Sequence, residues 1–360
     1  MTKKKIMVAM SGGVDSSVTA ALLLERGHAV EGVTMCFELP AASSEHRPSC
    51  CGLQSIEDAR RVCHALGITH HVLNYGDALE SLVIQDFVDE YARGRTPNPC
   101  ARCNRYLKFE RLFKDALALG GTHLATGHYV QNIYNPATSA YEMRKARDAR
   151  KDQSYFLYAT PREKLPTLLF PLGGYTKDEV RDHARRFNLP VAEKKDSQDI
   201  CFIPDGKYQD FIVARQRSLE CPGDFIDHEG KVVGRHKGVA HYTIGQREGL
   251  GIALGKPVYV NRIDPLLHTV HVGPQEKLLS AGLEASGLNL LVGNISKETI
   301  EANIKIRYNH NDIQAQVTFM DQNCVRVRFA EPQKAVTPGQ SLVIYDGDLV
   351  LGGAVIDRGI

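Results

Sequence analysis

The chain has 360 residues, 43% of them hydrophobic and 24% charged, enough for two or three domains and too apolar for wholesale disorder. It has no run of eighteen apolar residues, and its first apolar stretch, 6–10, is too short for a secretory segment, so no membrane partner is expected. A net charge of +2 confines any polyanion site to a local patch, and nine cysteines without a leader point to a reducing, cytoplasmic setting where thiols react or bind metal.

The first two hundred residues alternate strand and helix. The apolar run 6–10 ends in a glycine-rich turn, 18–24 has helical character, and the β-branched run 29–37 predicts a second strand. Ser55-Ile56-Glu57-Asp58 has the form of a capping box, with Ala59, Val62, Cys63 and Leu66 at helical spacing until Gly67. Val72-Leu73 and Leu124-Ala125 mark further strands, the second after a helix-like stretch 106–119. Thr176-Lys177-Asp178-Glu179 opens another helix that stops at Leu189-Pro190. Such alternation implies a parallel sheet covered on both faces. Segments 40–48 and 135–141 read as loops, and His70-His71, at a strand start, as structural.

After Phe202 the texture changes. Residues 207–216 form one last helix. Glycines and short strands then fill 223–273, and from about 283 the runs 302–308, 313–319, 324–329, 342–345 and 349–356 form a meander that predicts a small antiparallel barrel. The expected fold is therefore α/β in three parts: a parallel-sheet nucleotide domain over 1–204, a small β-rich central domain over 205–275 and a C-terminal antiparallel β-barrel over 276–360.

Ser11-Gly12-Gly13-Val14-Asp15-Ser16-Ser17 lies between the first strand and first helix. Its glycines let backbone amides approach an anion, the helix N-terminus adds unpaired N–H groups, and Asp15 can hold Mg2+ beside phosphates. The Walker A lysine is missing. The loop resembles the SGGxDS pyrophosphate loop of ATP pyrophosphatases, which implies ATP cleaved between its α and β phosphates, a substrate oxygen adenylated, and a nitrogen or sulfur nucleophile to follow.

Thr96-Pro97-Asn98-Pro99-Cys100-Ala101-Arg102-Cys103-Asn104 is the second strong feature. Cys103 precedes the helix expected over 105–119 and is flanked by Arg102 and Arg105, a setting that favours thiolate. From Arg93 to Arg111 six basic residues face one acid, Glu110, a patch a polyanion could use. Half of a zinc site, or two inert cysteines, would fit the same Cys-x-x-Cys. Cys201 stands in Ser197-Gln198-Asp199-Ile200-Cys201-Phe202-Ile203. Cys50-Cys51 reads as inert, and Cys36, Cys63, Cys221 and Cys324 as core.

These motifs, with Ala125-Thr126-Gly127-His128-Tyr129, Lys151-Asp152-Gln153-Ser154-Tyr155-Phe156-Leu157 and Pro338-Gly339-Gln340, occur in one order from the first strand to the last twenty residues. Together they resemble the tRNA-specific 2-thiouridylase family, whose members put sulfur on the wobble uridine. The resemblance implies that Ala9, Met10, Ser11, Gly12, Gly13, Val14, Asp15, Ser16, Met35 and Gly127 bind ATP. It implies that Asn98, Pro99 and Cys100 border the target base, that Cys103 is the nucleophile and that Cys201 carries sulfur as a persulfide, ending in a Cys103–Cys201 disulfide that a cellular thiol reduces. Lys151, Asp152, Gln153, His128, Arg307, Tyr308 and Gln340 would touch the tRNA anticodon arm, and a sulfur-carrier protein or cysteine desulfurase would supply the sulfur. Many members carry Asp where this chain has Cys100. Two other readings stand beside this one: a [4Fe–4S] cluster on Cys100, Cys103 and Cys201, and an ATP pyrophosphatase-type ligase acting on a small molecule. Residues 141–195 hold thirteen Lys/Arg against eight Asp/Glu, whereas the chain from 276 onward holds eight against ten, so RNA is expected to meet the former.

Overall fold

The computed structural model describes residues 3–37, 53–195, 200–203, 206–293, 295 and 297–360. Cys50-Cys51, Ser197-Gln198-Asp199 and the 40–48 loop lie outside the described residues. The chain forms two compact units: Met1–Val83, Cys100–Gly206 and Asp348–Val350 make the first, and Ile84–Pro99, Lys207–Gly347 and Leu351–Ile360 the second.

In the first unit, β1 (Lys5–Ala9), β2 (Ala29–Cys36), β3 (His70–Asn74) and β4 (His123–Ala125) are parallel strands. The hairpin β5 (Gln131–Asn135) and β6 (Ala140–Arg144) follows, and β7 (Leu168–Leu169) completes a sheet of order β3-β2-β1-β4-β7. Ile6, Met7 and Val8 are fully buried, as a central parallel strand covered on both faces requires. Helix α1 (Val14–Glu25) packs Val18 and Leu22 into the same core as Ala59, Val62 and Cys63 of α2 (Leu53–Ala65). The chain leaves β1 for β2 on one side and returns to β4 on the other. The crevice at the carboxyl ends of β1 and β4 is thus the topological switch point where open α/β sheets bind ligands.

In the second unit, β8 (Gly223–Ile226), β9 (Val232–His236), β10 (Tyr259–Asp264) and β11 (Thr269–Gly273) form a sheet of order β10-β11-β8-β9 around Phe225, Val260, Val270 and Val272. β12 (Leu279–Leu290), β13 (Thr299–Lys305), β14 (Ile313–Phe319), β15 (Cys324–Lys334), β16 (Ser341–Asp346) and β17 (Leu349–Gly359) run in the order β12-β15-β14-β13-β16-β17. Pairing of β12 with β17 closes them, among the described residues, into an antiparallel barrel. Val325, Val327 and Phe329 point in and Arg326 and Arg328 out, the two-residue alternation of a strand with one wet face.

The fold class agrees with the sequence reading, and several details differ. Helix α2 already runs from Leu53, so Ser55 lies inside it and no capping box forms there. The Thr176–Glu179 box is present in both of its hydrogen bonds. Segment 135–141 is the tip of the β5–β6 hairpin. β12 was unforeseen because Gly282 and Gly287 break its pattern. A Cβ at Gly282 would come 2.2 Å from the Val327 carbonyl oxygen. Cys36 and Cys63 are core, as expected, but Cys221 is exposed and Cys324 half-buried. No helix among the described residues is long and apolar enough to cross a membrane.

Candidate functional site

The phosphate loop sits in the switch-point crevice. Gly13 is the N-cap of α1 and no side chain caps the helix, so its first amides are left for a ligand. Ser16 and Ser17 both donate to the Gly13 carbonyl, at 3.2 and 2.8 Å, and Ser16 Oγ accepts from the Ser11 amide at 3.2 Å, which holds the turn closed. Gly12 has φ +69, and a Cβ there would meet the Ser55 carbonyl oxygen at 2.2 Å. Gly127, after β4, lies against the start of α1: a Cβ would be 2.8 Å from the Asp15 carbonyl carbon and the Ser16 amide nitrogen. Ala9 ends β1 and Met10 follows it, the Met10 amide donating to the Val33 carbonyl at 2.8 Å, and Met35 is half-buried near the end of β2.

Two lysines from distant segments brace this loop. Lys177 Nζ donates to both carboxylate oxygens of Asp15, at 2.8 and 2.9 Å, and Tyr129 Oη adds a third bond at 2.8 Å. Lys194 Nζ donates to the Gly12 carbonyl at 3.0 Å and to Asp58 at 2.7 Å. Burial works to raise the Asp58 carboxyl, but hydrogen bonds from Lys194, Arg61 and Gln54 outweigh it and bring it down to about 2. No three His, Cys, Asp or Glu converge as a metal-ligand set among the described residues. A carboxylate offers about four acceptor positions, so Asp15 keeps room for one more partner. That fits Mg2+ only in the form that takes one carboxylate and completes its shell with phosphate and water.

The cysteine segment folds differently from its sequence reading. Pro99–Arg102 is already helical, Cys103–Leu112 is π-helical and Phe113–Ala118 returns to α. Cys103 is therefore not at a helix N-terminus; Cys100, one residue after the opening proline, is. Arg102 and Arg105 lie over the Tyr106 ring, 5.0 and 5.3 Å from its centroid. The Cys100 thiol, though reached by solvent, is pushed up to about 11, first by desolvation and then by charge interaction with Cys201, with Lys108 pulling the other way. Desolvation thus wins over the helix terminus. Cys103 is half-buried and Cys201 exposed, and neither is in a disulfide.

The expected base- and RNA-contacting residues divide in two. In the second unit, Gln340 Nε2 donates to the Thr96 and Pro97 carbonyls at 2.9 and 3.2 Å, Asn98 Nδ2 to Ser341 Oγ at 3.0 Å, and the Thr96 amide to Pro338 at 2.8 Å. Gly339 (φ +91) lies so close to Thr96 that a Cβ would be 2.9 Å from its carbonyl. The Pro338-Gly339-Gln340 motif is the seat of the Thr96-Pro97-Asn98 motif. Arg307 donates to Ala335 O at 2.7 Å and Thr337 Oγ1 at 2.8 Å, and Tyr308 is half-buried beside it in sequence. In the first unit Asp152 is buried, its carboxylate taken by Ala146 N at 2.9 Å and Ser154 Oγ at 2.6 Å instead of facing outward. Gln153 accepts from Tyr129 N at 2.9 Å, Lys151 is half-buried, and His128 is bonded to Thr126 and Lys108.

A relative from Carboxydothermus hydrogenoformans, named tRNA-specific 2-thiouridylase MnmA, is 48% identical over 99% of this chain and 98% of its own. The chain belongs to the tRNA-specific 2-thiouridylase family. Relatives of the same name from Geobacter metallireducens and Pelotomaculum thermopropionicum are 48% and 46% identical, each over 99% of this chain and 97% and 98% of their own. Family models described as the tRNA methyl transferase HUP domain, tRNA methyl transferase PRC-barrel domain and aminomethyltransferase beta-barrel domain match residues 4–205, 209–274 and 280–356. In this 2-thiouridylase family member, Lys177, Tyr129, Asp58 and Lys194 are the bracing residues that sequence reasoning missed, while Lys108 was read only as part of the 93–111 basic patch. Lys177 directly follows the Thr176 cap and Tyr129 closes the Gly127-His128 motif, so their places were visible, but not their partners.

Proposed function

We propose that this chain 2-thiolates the wobble uridine of tRNA, consuming ATP as cosubstrate and releasing AMP and pyrophosphate. One observation carries the reading: the glycine-rich loop at the switch point, Cys103 and Cys201 belong to the same compact unit. The amides of α1, with Ser11 and Ser16, hold the phosphates. Mg2+, held by Asp15, would supply charge neutralisation there. The uracil O2 attacks the α phosphate, so a poor leaving group becomes AMP. The terminal sulfur of a Cys201 persulfide then attacks C2; the C2–O bond breaks, AMP leaves with its electron pair, and the persulfide proton goes to solvent. Cys103 thiolate attacks Cys201 Sγ, the S–S bond to the base-bound sulfur breaks, and that sulfur keeps the pair as the thiocarbonyl. A Cys103–Cys201 disulfide remains for a cellular thiol to reduce, and a sulfur-carrier protein or cysteine desulfurase reloads Cys201.

Functionally the chain divides as 1–204 for ATP and catalysis, 205–275 for tRNA and 276–360 as the barrel. Lys151 and Tyr308 are the RNA-facing groups, while Asp152, Gln153, Arg307 and Gln340 shape the loops around them. The target base must leave the anticodon stack, a small cost in a loop. A reconstituted assay with ATP, a persulfide donor and tRNA, read by mass spectrometry of nucleosides, tests this. Wild type should form 2-thiouridine, and Cys103→Ser and Cys201→Ser none, while both variants still bind ATP. Thiolation by Cys201→Ser would overturn the persulfide route, and iron with brown colour after anaerobic purification would favour the cluster in its place. ATP consumption indifferent to RNA would favour the small-molecule ligase.

A further inference from the structure

We infer that Lys108 is an anion-holding group for the sulfur-transfer step, set in place by His128 and by the π-helical turn that separates it from Cys103. The inference rests on the thiolation reading. In a π-helix the backbone bonds run between residues five apart, so Cys103 and Lys108 stand one bonded turn apart in Cys103–Leu112. In an α-helix residues five apart point in different directions. The π-helical winding is what sets this lysine one bonded turn on from the nucleophile.

The ammonium is oriented from behind. Lys108 Nζ lies 3.4 Å from His128 Nε2, and His128 Nδ1 lies 2.7 Å from Thr126 Oγ1. An ammonium only donates, so Nε2 accepts and Nδ1 carries the proton that goes to Thr126. Phe109 and Phe170 flank the imidazole at 6.2 and 6.4 Å. Burial first, and the lysine charge second, hold His128 well below the usual histidine range, so it stays neutral. A neutral partner fixes the lysine without cancelling its charge. Lys177 and Lys194, by contrast, are spent on Asp15 and Asp58. Among the described residues no carboxylate lies within ion-pair distance of Lys108, and its charge acts on the Cys100 thiol, on which Cys201 also acts.

The chemistry needs such a charge. Negative charge passes from the persulfide sulfur to departing AMP, then from Cys103 to the sulfur left on the base, and an ammonium beside the thiols stabilises each sulfur anion without exchanging a proton. His128 is a positioning residue for it.

The test is single-turnover thiolation by the full-length, persulfide-loaded enzyme at saturating tRNA, with pyrophosphate release followed in the same mixture. Lys108→Met should slow sulfur transfer relative to pyrophosphate release by roughly ten- to a hundredfold, in line with loss of one preorganised electrostatic group. Lys108→Arg, which keeps the charge, should recover the ratio to within about fivefold of wild type. An unchanged ratio in Lys108→Met, or a Lys108→Arg enzyme as slow as the Met variant, overturns the inference. So does a parallel loss of tRNA affinity that accounts for the whole effect. Wild type that makes no 2-thiouridine would sink the thiolation reading itself, a separate failure.

Discussion

Replacing Lys177 by Met removes the ammonium that bridges both carboxylate oxygens of Asp15 at 2.8 and 2.9 Å. The lysine side chain is 8% exposed and that of Asp15 32%. Breaking a fully buried pair costs about 3–5 kcal/mol, but Asp15 can regain water and keeps the Tyr129 hydroxyl, so a loss of about 2 kcal/mol is expected. For a unit of this size that lowers the melting temperature by roughly 4–8 °C in scanning calorimetry. Asp15→Asn should cost more, about 3 kcal/mol, because it leaves the more deeply buried ammonium against a neutral amide. The double variant should lose about 1–2 kcal/mol less than the two single losses added together. Single-variant losses that add to within about 0.5 kcal/mol would show that the two groups are not coupled and that the loop is not braced in this way.

Gly12→Ala puts a Cβ 2.2 Å from a backbone oxygen at φ +69, so the loop must move, and ATP affinity by calorimetry should fall at least roughly tenfold. Gly67→Ala, at φ +66 with open space around it, is the control and should lose only about 1 kcal/mol of stability and no affinity. Asp58 has a folded value of about 2, below its unfolded value, so its contribution is complete above about pH 4 and is lost as pH falls through 2. With Lys194 a third exposed, solvent screening holds that contribution to about 1 kcal/mol. Denaturant stability of Asp58→Asn should therefore run flatter than wild type from pH 4 downward, and equal slopes would remove the Lys194–Asp58 brace.

Local pattern was enough for the strand–loop–helix unit at residues 5–25, because a central parallel strand must be apolar on both faces and a phosphate turn must be glycine. It was enough for the Thr176–Glu179 box and for most barrel strands, whose two-residue alternation shows in the sequence. It misled at Cys103, where a helix expected to begin at Arg105 begins at Pro99 and changes its winding at Cys103. Leu107, Phe109 and Leu112 of the π-helical stretch are all fully buried, and helix propensity carries no signal that separates π from α winding.

By itself the sequence determined the strand–helix alternation of the first two hundred residues, the α/β fold class with its C-terminal antiparallel barrel, and the glycine-rich turn between β1 and α1. Tertiary structure alone decided which groups lie against which: Lys177 on Asp15 across 162 positions, Lys194 on Gly12 across 182, and Lys108 beside His128. Periodicity reports only what a residue's near neighbours in the chain demand of it. A charge paired far along the chain is settled by where the folded backbone returns, and no local repeat encodes that path.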